Sequence, residues 1–282
     1  MAKKTQRFDP RQNMNGNTYE VFHYLDLRTR HLDAHYHDFY EIFCFIDGDV
    51  DYWVDGRFYH LQSGDLLLIQ PSELHKPSPR SEEDRYERIV LWLDPAYLGT
   101  LAGGTLAECF DPASPRCRKM LRPSAAEKNQ LLTLFQQLAE EYNGDAFGKE
   151  AYSHGLLLQI MTLINRIAGR PQKTQEHYST PTLIADILAH IGAHYQEDLS
   201  LDRLSAHFFI NKYYLSHQFK KAVGTGVHRY ITLKRLSVAY RLLSEGGAPN
   251  EVSALCGFGD YTAFFRAFKA EYGVSPALIN GK

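Results

Sequence analysis

The chain has 282 residues, 44% of them hydrophobic and 23% charged, with a formal net charge of −2. That length accommodates two ordinary domains, and the balance excludes a disordered polyelectrolyte and a uniformly basic coat for nucleic acid. The charge is nevertheless uneven: residues 182–282 hold 11 Lys/Arg against 8 Asp/Glu, a balance of +3, while the remainder holds 20 against 25, a balance of −5. The C-terminal part is therefore the better match for a polyanion.

The opening "MAKKTQRFDPRQNMNGNTY" has no apolar segment of the kind a signal peptide needs. The longest uncharged apolar run, "GLLLQIMTLI", is too short to span a bilayer. Cys44, Cys109, Cys117 and Cys256 are scattered without CxxC spacing, which suits free thiols in a reducing cytoplasm. The expectation is a cytoplasmic protein with no membrane partner.

Residues 19–93 read as strands. The runs "YEIFCFI", "DYWVDG", "RFYHL", "GDLLLIQP" and "RYERIVLWL" are rich in aromatic and β-branched residues. Gly48, Gly56, Gly64 and Pro71 punctuate them at intervals that suggest a β-barrel or sandwich over 1–123. The period then changes. "SAAEKNQLLTLFQQLAEEY" opens on a capping box, Ser124 with Glu127, and Leu131, Leu134, Phe135 and Leu138 mark one helical face. "KEAYSHGLLLQIMTLINRIA" repeats the pattern with Leu156, Ile160, Leu163, Ile164 and Ile167, so 124–168 reads as a helical hairpin. Its apolar faces suit either the chain's own core or a second subunit; we assign the hairpin to dimerisation. Residues 169–181, polar with a proline near each end, read as a linker.

Residues 182–282 are helical in pattern and contain a repeat. "YYLSHQFKKAVG" aligns with "TAFFRAFKAEYG" at an offset of 49, pairing Leu215 with Phe264 and Phe219 with Phe268. A shorter helix and a tight turn precede each copy, which makes a helix-turn-helix twice over. Ser200 and Asn250 are expected to cap the short helices, Asn211 and Asp260 the long ones. Facing away from the apolar residues stand Tyr213, Ser216, His217 and Lys220 in one copy and Tyr261, Thr262, Arg266 and Lys269 in the other. Such groups can meet base edges and phosphates in a major groove. The connector "VHRYITLKRLSVAYRLL" lacks Gly and Pro, and its 17 residues make a helix about 25 Å long. With the width of the modules, that would set two recognition helices about one DNA turn, ~34 Å, apart.

With these motifs, residues 182–276 resemble the DNA-binding domain of AraC/XylS-type bacterial transcription regulators. The resemblance runs through "LSLDRLSAHFFINKYYLSHQFKKAVG", "YITLKRLSVAYRLL" and "EVSALCGFGDYTAFFRAFKAEYGVSP". Two positions depart from the pattern. Phe209 stands in the first turn where a small residue is usual, and "ALING" lacks the aromatic–Arg pair often found after Ser-Pro. The resemblance implies a cupin-like barrel ahead of this domain, and residues 31–75 are similar to both cupin motifs. His35-x-His37-x3-Glu41 with Gly48 matches the first, and Gly64, Pro71 and His75 match the second, although Glu73 replaces the usual glycine.

On a regular strand His35, His37 and Glu41 share one face, with His75 supplied by a neighbour. These four could hold Fe, Mn, Ni or Zn, or line an effector pocket together with Tyr52 and Trp53. No cofactor is required; a divalent transition metal is the one candidate. The fold expected is therefore α+β and multidomain: a cupin-like β-barrel with a helical hairpin, then an all-α domain with two helix-turn-helix motifs joined by a long helix. The function expected is a sequence-specific DNA-binding transcriptional regulator rather than an enzyme. Double-stranded DNA and a small-molecule effector, compatible with a sugar, are its partners, with a second copy as a homodimer and RNA polymerase beside them. The alternative is a metal-dependent cupin enzyme fused to a DNA-binding domain.

Overall fold

The computed structural model describes residues 13–27, 34–55, 57–71, 73–80, 85–171 and 182–279. Gly56 and residues 172–181 of the expected linker lie outside the described residues. The N-terminal half contains β1 (Tyr19–Asp26), β2 (Tyr40–Asp47), β3 (Val50–Val54), β4 (Arg57–His60), β5 (Leu66–Ile69), β6 (His75–Pro79), β7 (Tyr86–Leu93) and β8 (Met120–Leu121). They form two sheets, one in the order β1-β7-β2-β5-β8 and one in the order β4-β3-β6. The expected barrel is thus open, two antiparallel sheets facing one another, with an isolated bridge from His35 to His75 extending the smaller sheet. Gly48 follows β2 at φ +132°, and a Cβ there would lie 2.7 Å from the Arg85 carbonyl, so the turn requires glycine.

Period-two alternation builds the layers. On β2, Ile42 and Cys44 face one core while Phe43 and Phe45 face another; on β7, Ile89, Leu91 and Leu93 oppose Val90 and Trp92. Two helices, α2 (Ala125–Tyr142) and α3 (Lys149–Ala168), cover the first face. Leu131, Leu134, Phe135, Leu138, Leu156, Ile160, Ile164 and Ile167 are buried in that core, and Leu163 packs half-buried against it. The apolar faces of the hairpin therefore pack inside the chain. The Ser124 N–H donates to the Glu127 carboxylate at 2.9 Å, closing the capping box.

A segment between the strands and the hairpin, not expected to be helical, also joins this core. Asp94 caps α1 (Pro95–Thr100), and turns of 3-10 type over Leu101–Phe110, broken at Ala102–Gly104, bury Leu98, Leu101, Leu106 and Phe110.

The C-terminal half holds α4 (Thr182–His194), α5 (Leu201–His207), α6 (Lys212–Val223), α7 (Val227–Ser244), α8 (Pro249–Leu255) and α9 (Tyr261–Tyr272). Leu215 and Phe219 of α6 belong to one core, Phe264 and Phe268 of α9 to another, and α7 contributes to both. Its 18 residues make a rod of about 27 Å. The short helices start 48 residues apart and the long ones 49, because the second turn carries one residue more. Asn250 does not cap α8: it lies inside the helix, Ala248 is the cap residue, and Pro249 occupies the first turn.

Candidate functional site: a buried acceptor cluster and two exposed helices

Three of the expected pocket residues converge. His37, Glu41 and His75 are buried, and one nitrogen or oxygen from each lies within 4.8 Å of the others. Both rings are oriented by the backbone. His37 Nδ1 is 2.9 Å from the Phe39 carbonyl and His75 Nδ1 is 2.8 Å from the Glu73 carbonyl. A carbonyl only accepts, so Nδ1 carries the proton in each ring and Nε2 of the neutral ring is a lone-pair nitrogen. Those two Nε2 atoms are buried without a hydrogen-bond partner. They point toward Glu41, at 3.3 Å from Oε2 for His37, out of hydrogen-bond alignment, and 4.0 Å from Oε1 for His75.

Glu41 is charged. Burial opposes its ionisation, and a proton on the facing Nε2 of His37, or positive charge on His75 or His35, would lower the carboxyl to about 2. The Trp92 indole N–H donates to Oε2 at 2.8 Å, and the Tyr52 hydroxyl lies 3.5 Å from Oε1. Burial, reinforced by the His35 imidazole, holds His75 well below the ordinary histidine value. The site is thus a cluster of acceptors facing one another, an arrangement that a cation or a set of donor hydrogens completes.

His35 stands at the margin, its ring 4.3 Å from that of His75, and Tyr52 lines the cluster with its ring 6.3 Å from His75. Trp53 does not enter the pocket. It follows Tyr52 on β3, so the pleat turns it to the opposite face, where its ring lies 5.8 Å from Tyr230 of α7. Two contributors go unnoticed in the sequence: Trp92, and Phe39, whose ring stacks on His37 at 3.9 Å. The parity of "RIVLWL" separates Trp92 from Leu91 and Leu93, but only the pairing of Glu41 with Trp92 in the sheet brings it to the carboxylate.

The second candidate site is on α6 and α9. Asn211 caps α6, its carboxamide oxygen accepting from Tyr213 N at 2.8 Å; Asp260 caps α9, accepting from Ala263 N at 2.7 Å. Each helix ends on a left-handed glycine, Gly224 or Gly273. With the apolar faces locked inward, Tyr213, His217, Lys220, Tyr261, Thr262, Arg266 and Lys269 are exposed and Ser216 is half-buried. The eight residues singled out for DNA thus lie on the outer faces of the two capped helices.

Residues 17–161 match the model of the AraC-like ligand binding domain, and residues 204–279 match a helix-turn-helix domain. The chain belongs to the AraC family of transcriptional regulators. It is 27% identical over 264 residues to the uncharacterized HTH-type transcriptional regulator YfiF of Bacillus subtilis (strain 168), covering 91% of this chain and 82% of that one. It is 22% identical over 248 residues to the HTH-type transcriptional activator RhaS of Enterobacter sp. (strain 638), covering 87% and 86%. Among solved structures it is similar to an apo form of a ToxT variant from Vibrio cholerae, with a TM-score of 0.40 at 12% identity over 94% of this chain and 98% of that one. It is also similar to the DNA-binding domain of AdpA in complex with a target DNA, with a TM-score of 0.33 at 26% identity over 34% and 87%. This AraC-type regulator therefore pairs a ligand-binding domain with a helix-turn-helix DNA-binding domain. Among the described residues no helix is long and apolar enough to cross a membrane.

Proposed function

We propose that the regulator senses its effector at His37, Glu41 and His75, with His35, Tyr52 and Trp92 around them, and that occupancy of this cluster controls DNA binding by α6 and α9. The observation that carries the reading is the pair of buried Nε2 atoms without partners, aimed at an ionised carboxylate. A native interior leaves few such groups unpaired, each at a cost of about 1–3 kcal/mol, so the cluster is built for something that donates to it. A small hydroxylated molecule supplies donor hydrogens. The polypeptide acts as a switch and not as an enzyme, in keeping with relatives that are named as transcriptional regulators. It works in the cytoplasm on the nucleoid, with RNA polymerase as its partner, as a homodimer. Since the apolar faces of the hairpin are occupied, a second copy would meet the half-buried Leu132, Leu158 and Leu163 and the exposed Tyr152.

The spacing of the cluster favours a second reading of the occupant. Donor atoms within 4.8 Å of one another suit a single ion, and two neutral imidazoles with a carboxylate suit a divalent transition metal. His37 and His75 through Nε2, and Glu41 through its carboxylate, would hold it, and the Nδ1 contacts to backbone carbonyls already orient both rings for ligation. Elemental analysis of the purified chain, with thermal-shift titration against sugars and divalent metals, tests both readings. A ligand that raises Tm in the parent and not in His37→Ala or Glu41→Gln identifies the occupant. Equal shifts in parent and variants would remove the cluster from the sensing role.

A further inference from the structure

A second collection of imidazoles lies on the DNA-binding domain. The end of α4 reads "HIGAH", residues 190–194, and the i, i+4 spacing puts His190 and His194 on one helical face, their ring centroids 4.5 Å apart. His207, the last residue of α5, brings a third ring from another helix and stacks on His190 at 4.1 Å. These residues belong to neither of the outer faces, on α6 and α9, that are assigned to DNA.

The surroundings suit a cation. Both helices end at a residue of the cluster, α4 at His194 and α5 at His207, and the terminal carbonyls of a helix carry partial negative charge. Glu197, just beyond α4, accepts from His194 Nδ1 at 2.8 Å. Nδ1 therefore carries the proton and Nε2 of the neutral ring keeps a lone pair. A carboxylate in that position orients a metal-binding imidazole and raises its basicity. Phe208 sets its ring edge-on to both His190, at 5.6 Å, and His207, at 4.8 Å, and so walls one side.

Partial burial, and then the neighbouring His207 and His194, hold His190 below the ordinary histidine value, so its ring is neutral at pH 7. When protonated the three rings oppose one another; when neutral they offer three nitrogen donors. Two histidines at i, i+4 on one helix reach a single ion, and a third imidazole with a water completes tetrahedral zinc. Among the described residues, only the cluster at Glu41 already holds three ligand atoms within 4.8 Å of one another. At His190 the rings are gathered side by side, and closing them on an ion takes rotation about side-chain bonds, which solvent-facing residues make within nanoseconds.

We infer that His190, His194 and His207 form a metal site on the DNA-binding domain, which takes Zn2+ through three imidazole nitrogens and joins the end of α4 to the end of α5. The site is independent of the sensor cluster. His207 stands immediately before the turn that leads to Asn211 and α6, so a bound ion ties the entry to the first reading helix to α4.

The full chain, labelled with 15N-histidine, is titrated with zinc chloride at neutral pH. Ring resonances are assigned with His190→Gln, His194→Gln and His207→Gln, none of which removes a core side chain. All three rings should move together and saturate at one ion. His207→Gln should raise the zinc concentration that half-shifts His190 and His194 by more than tenfold. Glu197→Gln, which touches no ion, should raise it by about tenfold through the orientation of His194. Rings that move at different zinc concentrations would overturn the inference. So would His190 and His194 responding equally with and without His207, which would leave only the pair on α4. Shifts that begin only at millimolar zinc would mean an adventitious ion only, and would overturn it as well. Each ring reports its own surroundings, so zinc at His37, Glu41 and His75 neither mimics nor masks the result.

Discussion

The two helix-turn-helix units share a plan and differ at the turn. Both need one left-handed residue after the short helix. The second unit uses Gly257 at φ +76°, and a Cβ there would lie 2.4 Å from the Gln196 carbonyl just beyond α4. The first uses Phe209 at φ +54°, whose side chain is 94% exposed. The difference teaches that one backbone shape can be required for two reasons of unequal weight. At Gly257 a neighbouring backbone excludes any side chain; at Phe209 only the dihedral is unfavourable, and space is open.

Substitution at the two turns should separate these reasons. Gly257→Ala combines a left-handed L-residue, which costs about 1–2 kcal/mol, with a backbone collision, so it should be the most damaging of the set. A fall in denaturation midpoint together with loss of DNA binding is expected; a neutral result would mean that the close approach to Gln196 is not real.

On the reading faces the units should behave alike. Arg266→Ala and His217→Ala remove exposed side chains that support no core, so stability should hold while specific affinity drops by about 1–3 kcal/mol each. Competition with random duplex is the check: equal loss on both DNAs would reassign the residue to phosphate contact. The smallest effect belongs to Phe209→Gly. It relieves the dihedral and adds unfolded-chain entropy of opposite sign, for a net change within about 1 kcal/mol by chemical denaturation. A large loss would give the exposed ring a role that its surroundings do not explain.

Much of this was legible in the sequence because it is written in local periods. The capping box at Ser124, the caps Asn211 and Asp260, and the burial of Leu215, Phe219, Phe264 and Phe268 all follow from spacing within one element, whereas His37 reaches Glu41 from an irregular segment ahead of β2 and not from the regular strand expected over 35–41. Trp53 obeys the same rule, since adjacent residues on a strand cannot both face one pocket and Tyr52 takes the inner side. The misplaced cap at Asn250 has a local cause, because Pro249 suits the first turn and moves the boundary back. What the sequence does not carry is contact between distant segments. Lys234 and Asp55 are 179 residues apart, Tyr240 and Asp38 202, and nothing in either stretch announces the other. The 3-10 turns around Ala102–Gly104 are hidden for another reason, since their broken backbone has no period to read.

The central claim is that the chain reads DNA with two units held by one helix. Selection of duplexes from a random pool by the full chain, followed by salt titration of the enriched sequence, tests it most directly. The account predicts two short recognition segments with centres about one helical turn, ~34 Å, apart, bound with an affinity that falls steeply as salt rises and lost selectively in Arg266→Ala. A folded chain that enriches no sequence, or that binds DNA without dependence on salt, would contradict it.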